Sequence, residues 1–246
     1  MNDLFIRTEA LFGQIAMQRL QNAHVAVFGL GGVGGHACEA LARSGVGTLT
    51  VVDSDTVAKS NRNRQLIALE STVGMKKTEV MAKRLRDINP EITVIERDCF
   101  FDASTADTFD FSDYDYVIDC MDTVASKLRL ITLCQSAGTP LIASMGTGNK
   151  TDPTRLRVSD VAKTSVCPLA KVMRLECRKR GIRHYRVLWS DEVPLSPSKE
   201  ALTEEAEKST RRTVPASTAF VPPAAGILLA REVTVDLIKS ISKGNI

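Results

Sequence analysis

The chain has 246 residues, 43% of them hydrophobic and 25% charged, enough to bury the core of one large α/β domain and tight for two. A formal net charge of +3 demands no nucleic-acid partner, DNA least of all, yet leaves room for a local basic face. Asp3, Arg7 and Glu9 interrupt any apolar stretch that a secretory signal would need, and the run Ala224 to Ala230 stops at Arg231, too short to span a bilayer. A cytoplasmic protein without membrane association is therefore expected. Cys38, Cys99, Cys120, Cys134, Cys167 and Cys177 include no C-x-x-C pair, and only His24, His36 and His184 could assist them, which argues against structural zinc and for reduced, packed thiols.

In chain order, His24 to Phe28 is a short apolar run ending at glycine, and Gly47 to Asp53 is another; both suit buried parallel strands. Gly34 to Ser44 between them reads as helix. Lys76 to Asn89 sets Val80, Met81, Leu85 and Ile88 on one helical face, and Pro90 stops it. A strand at Ile92 to Glu96, a strand at Tyr114 to Cys120, a helix at Ser126 to Ala137 and a strand at Pro140 to Ser144 follow. This alternation predicts right-handed crossovers and a Rossmann-like, doubly wound, mostly parallel sheet. Arg155 to Val161 alternates as a half-exposed strand would, and beyond it regularity fades into an irregular C-terminal extension. Ser190 to Ser217, rich in Pro, Ser, Thr, Glu and Lys, reads as a mobile loop or crossover.

Gly29-Leu30-Gly31-Gly32-Val33-Gly34 stands where a strand ends and a helix begins, the context in which such a glycine pattern carries meaning. Missing Cβ atoms let backbone amides approach phosphate oxygens, and the following helix offers its positive end. Asp53, at the end of the second strand, is placed to accept hydrogen bonds from ribose hydroxyls. The loop alone does not choose between a dinucleotide and ATP. Asn61-Arg62-Asn63-Arg64-Gln65, Lys77 at a helix start and Asp122 after the strand Tyr116 to Cys120 tilt the choice. Arg64 and Lys77 can clamp β and γ phosphates while Asp122 holds magnesium, a charge arrangement that serves departing pyrophosphate and has no use in hydride transfer. Each alone has a plainer reading, solvated surface for the cations and a helix cap for the acid.

Together, Gly29 to Gly34, Asp53 with Asp55, Asn61 with Arg64-Gln65, Val73-Gly74 with Lys77, and Asp119 to Asp122 resemble the ubiquitin-activating-enzyme-like (ThiF/MoeB/HesA) adenylation superfamily over most of Leu11 to Thr147. The resemblance implies ATP as substrate, ribose contact at Asp53, phosphate contacts at Asn61, Arg64 and Lys77, magnesium at Asp122, and activation of a carboxylate as its acyl-adenylate. It also implies a homodimer and admits a sodium or potassium ion near the loop. Gly13 stands where the family has a phosphate-contacting, often partner-reaching arginine, and Thr123 replaces an asparagine. Lacking the zinc pairs of the sulfur-carrier branch, the chain is instead similar in Gly146 to Thr154, Val158 to Thr164, Pro168 to Ala170 and Asp122 to Lys127 to the tRNA threonylcarbamoyladenosine dehydratase branch. That branch implies ring closure of the threonylcarbamoyl side chain on adenosine 37 of tRNA, with no protein nucleophile required. Some relatives are linked to a sulfur relay, which would put a thioester or persulfide step on Cys167 or Cys120; a packed thiol is the plainer reading.

A tRNA substrate predicts a cationic face. Lys171, Arg174, Arg178, Lys179, Arg180, Arg183 and Arg186, with His184 and Tyr185 among them, form a run in which Glu176 is the lone acid, and Lys127 and Arg211-Arg212 are further candidates. The plainer reading is a solvated helix face. The whole chain is expected to be one domain, with a nucleotide core at about residues 11–147 and substrate and dimer contacts at about 148–246. Two other functions stay open from the residues: activation of the C-terminus of a sulfur-carrier or ubiquitin-like protein, and a non-catalytic nucleotide-binding scaffold.

Overall fold

The computed structural model describes residues 3–198 and 215–239. Two short helices, α1 (Ile6–Phe12) and α2 (Gln14–Asn22), precede β1 (His24–Phe28), α3 (Gly34–Ser44), β2 (Thr48–Val52), α4 (Lys77–Ile88) and β3 (Thr93–Arg97). β4 (Tyr116–Asp119), α5 (Val124–Ala137), β5 (Leu141–Ser144), β6 (Leu156–Asp160), α6 (Pro168–Lys179), β7 (Arg186–Ser190) and α7 (Val221–Lys239) complete it. The strands form one sheet in the order β3-β2-β1-β4-β5-β7-β6, parallel throughout except for β6, which runs antiparallel to β7. Winding reverses between β1 and β4, so a crevice opens at the carboxyl ends of these two strands.

Burial explains the central strands. Val25 through Phe28 and Val117 through Asp119 are shielded on both faces, so near-continuous apolar sequence is what a parallel interior demands. One face is covered by α3, α4 and α7, whose Ala37, Leu41, Met81, Ala225 and Leu229 join one core with Val25, Val27 and Val51. The other carries an aromatic cluster around Phe28, with Phe101 at 4.9 Å and Phe109 at 5.4 Å between ring centroids, and, nearer β7, α5 and α6 packed on Val187 and Trp189.

The predicted elements from β1 to β6 are present within two residues at their ends. Regularity does not fade after β6: α6, β7 and α7 follow, and the expected loop from Ser190 begins on the last residue of β7. Residues 191–198 and 215–217 carry no helix or strand; residues 199–214, with Arg211 and Arg212, lie outside the described residues. Among the described residues no helix is long and apolar enough to cross a membrane.

Candidate active site

The glycines of the first crossover divide their labour. Gly29 adopts φ +92°, and a Cβ on it would lie 2.9 Å from the Cys120 carbonyl oxygen; one on Gly34 would lie 1.8 Å from the Gly29 carbonyl oxygen. Those two make the turn and its packing possible. Gly31 faces open space, leaving its backbone free to meet a ligand at the start of α3. The Asp53 carboxylate fixes the same turn: Leu30 N–H donates to Oδ2 at 2.6 Å and Asp55 N–H to Oδ1 at 2.8 Å. Burial raises the proton affinity of Asp53 above its ordinary value, against the opposing pull of Lys77 and these two amides.

Lys77 opens α4 with a side chain only 6% exposed, its Nζ 2.7 Å from Asp55 Oδ2 and 3.7 Å from Asp53 Oδ1. Arg64 donates from Nη1 to Asn63 Oδ1 at 2.8 Å and to the Ser60 carbonyl at 3.1 Å, which rests its guanidinium on the turn that precedes it. Asn61 Oδ1 accepts from Ala58 N–H at 3.1 Å and closes that turn. The buried Gln65 presents a side-chain carbonyl without a partner among the described residues. Asp122 is exposed on the loop between β4 and α5. All of these line one cleft of about 820 Å³ with Gly29, Gly31, Gly32 and Val33. Of the residues nominated for nucleotide contact, only Gly34 stays behind its wall. Gly13, between α1 and α2, is not among the lining residues.

Lys127 corrects the sequence reading. Expected to touch tRNA, it is fully buried, with Nζ 3.0 Å from Asp119 Oδ2 and donating to the carbonyls of Met121 and Ser144 at 2.9 Å each. It joins the ends of β4 and β5 and holds the loop that carries Asp122. Much of the basic run is engaged within the fold. Arg174 donates to the Thr164 carbonyl and hydroxyl, Lys179 and Arg180 pair with Glu176, and Arg186 is engaged by Glu232 and Asp236. Tyr185, expected to stack on a base, is half-buried beside Cys177. Lys171, Arg178 and Arg183 remain exposed on α6 and just beyond it.

The cleft extends past the nucleotide wall to Gly146, Asn149, Lys150, Cys167 and Leu169. The sequence singled out this stretch without giving Asn149 or Lys150 a role, because their burial depends on β7 and on residues 195 and 216. Cys167, the N-cap of α6, is 2% exposed, and burial pushes the half-buried Cys120 thiol well up; all six cysteines are free thiols.

A doubly wound sheet with a glycine turn, a buried aspartate that braces that turn and a cation-lined cleft at its switch point defines a nucleotide-binding α/β protein of the adenylating kind. The ThiF family profile matches residues 6–243, and the chain belongs to that family. It is 45% identical over 242 residues to the tRNA threonylcarbamoyladenosine dehydratase of Bacillus subtilis, an alignment covering 96% of this chain and 95% of the relative. It superposes with a TM-score of 0.87 on the Escherichia coli tRNA N6-threonylcarbamoyladenosine dehydratase TcdA in complex with ATP, at 32% identity, covering 98% of this chain and 96% of that one. The AMP complex of the same protein gives 0.87 at 33% identity, covering 96% and 94%.

Proposed function

We propose that the protein is an ATP-dependent tRNA dehydratase that closes the threonylcarbamoyl side chain of adenosine 37 by adenylating its carboxylate. The observation that carries this reading is the single cleft holding Gly31, Asp53, Arg64, Lys77 and Asp122, in a chain alike over 96% of its length to a B. subtilis dehydratase of that name.

Asp53 takes the ribose, the amides at Gly31 and Gly32 and the start of α3 take phosphate oxygens, and Asn61 and Gln65 flank them. Arg64 and Lys77 swing from Asn63 and Asp55 onto the β and γ phosphates, where they offset the charge that accumulates as pyrophosphate leaves. A carboxylate oxygen attacks the α phosphorus, the bond to pyrophosphate breaks, and a mixed anhydride forms. A carbamoyl atom of the same side chain then attacks the activated carbonyl, and AMP leaves with net loss of water. Because this attack is intramolecular, an effective molarity on the order of 10⁵ M is available once the side chain is held.

Magnesium suits this donor set: no cluster of three or more His, Cys, Asp or Glu gathers among the described residues, so the ion would rest on the exposed Asp122 carboxylate, phosphate oxygens and water, adding charge compensation. The reading extends to one domain with the nucleotide core at about 11–147 and acceptor and dimer contacts beyond it, a homodimer in the cytoplasm, and a site for a sodium or potassium ion near the glycine loop. Tyr185 and Lys127 leave the tRNA surface; Lys171, Arg178 and Arg183 carry it, with Arg174, Lys179 and Arg180 beside them. The reaction balances without a protein nucleophile, so full turnover with ATP and tRNA alone would remove the sulfur-relay partner.

Incubation with ATP and threonylcarbamoyl-modified tRNA, followed by mass spectrometry of the nucleosides, should yield a product lighter by one water with AMP and pyrophosphate in equal amount. Pyrophosphate exchange stimulated by a Gly-Gly-tailed carrier and not by RNA, or ATP binding without turnover, would overturn the reading.

A further inference from the structure

The far end of the cleft holds a lysine whose surroundings do not account for it. Lys150 is 2% exposed, and its Nζ donates a single hydrogen bond within the described residues, to the Ser190 carbonyl at 2.9 Å. An ammonium carries three donors, so two are left over. The neighbouring acids are engaged elsewhere. Glu192 accepts from Thr151 N–H at 2.9 Å and Asp152 N–H at 3.0 Å, and Asp191 pairs with Arg155 at 2.7 Å and Arg157 at 3.4 Å. A buried cation that no carboxylate hydrogen-bonds is costly to the fold and correspondingly receptive to an anion. Burial lowers the proton affinity of this ammonium, and the Glu192 and Asp191 carboxylates nearby restore only part of it.

The backbone also holds this position firmly. Asn149 is kept at φ +59° by three bonds: its N–H donates to Ala216 O at 2.7 Å, its Oδ1 accepts from Ala216 N–H at 2.8 Å, and its carbonyl accepts from Leu195 N–H at 2.8 Å. A non-glycine residue in the left-handed region persists where surrounding structure over-determines it, as at ligand clamps. Lys150 is the next residue, tied to the end of β7, on the wall of the cavity that the nucleotide residues share.

We propose that Lys150 anchors the acceptor subsite by gripping the carboxylate of the side chain to be adenylated, and so sets the protein's preference for an acid-bearing acceptor. The proposal rests on the reading that this cleft adenylates a carboxylate. Lys150 is thereby a substrate-contacting residue distinct from the cations that serve the triphosphate. Once the carboxylate has become an acyl phosphate, the same ammonium faces its carbonyl oxygen, where negative charge develops during ring closure.

The test is Lys150→Gln, which keeps a donor for Ser190 O and removes the charge, with Lys150→Met as the second variant. Affinities for ATP, unmodified tRNA and threonylcarbamoyl-modified tRNA are measured with pyrophosphate release. Wild type should bind modified tRNA more tightly than unmodified. Both variants should bind ATP and unmodified tRNA as wild type does, lose that preference, and raise KM for modified tRNA by about 30-fold, the scale of a buried charge-assisted hydrogen bond. Wild-type protein should likewise bind tRNA whose threonylcarbamoyl carboxylate has been converted to an amide no better than unmodified tRNA, a result that needs no variant to fold. The inference is overturned if either variant keeps the preference, if affinities for ATP and unmodified tRNA collapse in parallel, or if the amide binds as well as the acid. Absence of wild-type turnover with modified tRNA would instead sink the dehydratase reading and this one with it.

Discussion

Asp122 and Asp53 are both carboxylates at the carboxyl edge of the sheet, yet their surroundings predict different failures. Asp122 is exposed on its loop, so Asp122→Ala should cut pyrophosphate release by about 10²–10³-fold, as loss of a transition-state charge partner does. Its unfolding free energy should change by less than about 0.5 kcal/mol, the range of surface substitutions. Asp53→Ala strips the acceptor from the Leu30 and Asp55 amides, so it should weaken ATP affinity by about 1–3 kcal/mol in calorimetry. Lys127→Met leaves the fully buried Asp119 without its cation and should cost about 3–5 kcal/mol in urea unfolding, most of it recovered when Asp119 is replaced by Leu as well. At this scale the sequence was legible where spacing carried the message: Asp53 and Lys77 follow the glycine turn at distances that a strand–helix–strand unit dictates. Lys127 was misread because a lysine at the start of a helix looks solvated until the Met121 and Ser144 carbonyls close over it, and nothing in its neighbours along the chain announces Ser144.

Helix α7 crosses α3 so closely at Gly226 that a Cβ there would lie 2.2 Å from the Val33 carbonyl oxygen and 2.9 Å from Ala37 N. Gly226→Val should therefore lower stability by about 1–3 kcal/mol through overpacking. Since Val33 caps α3 and lines the cleft, ATP affinity should fall with it, while Gly31→Ala, set in open space, should spare the fold and touch only nucleotide binding. The turn after Lys150 hangs on Glu192, whose burial would raise its proton affinity but which the Thr151 and Asp152 amides hold below the ordinary value. A depressed carboxylate contributes stability that is fully present above about pH 4.5, its unfolded range, and is lost as pH falls through the folded value. Thermal midpoints followed from pH 7 downward should show Glu192→Gln less sensitive to acid than wild type. β1, β2, β4 and α4 were legible because burial or a clear helical face imposed its period on them. The later ones were hidden by their composition. α6 buries only the small or flexible Ala170, Met173 and Cys177 behind a basic exterior, so its charge was read and its period was not. α7 begins Val221-Pro222-Pro223, a pair that reads as a breaker and that a helix tolerates only in its first turn, where amides need no partner.

Across the whole molecule, α6 sets Lys171 and Arg178, with Arg183 just beyond it, outside the ion pairs among the described residues, whereas Lys179 and Arg180 share Glu176. Replacing Arg178 or Arg183 by Ala should weaken tRNA binding equally for modified and unmodified tRNA and reduce the slope of log affinity against log salt by about 1 each, whereas Lys179→Ala should change it less. Filter-binding titrations between low and physiological salt measure both. The packing of α7 on α3 has a consequence in time. Val221, Ala225, Leu229 and Val233 complete the same core as Val25, Val27 and Val51, although almost the whole chain separates them. A nascent chain growing from its N-terminus at about 5–20 residues per second has therefore made the glycine turn, Asp53, Lys77 and Asp122 many seconds before the helix that backs them exists. Over that interval the first strands have an apolar face that α3 and α4 cover only in part, and a ribosome stalled ahead of Val221 holds every residue proposed to meet the nucleotide without the helix that completes the core behind them.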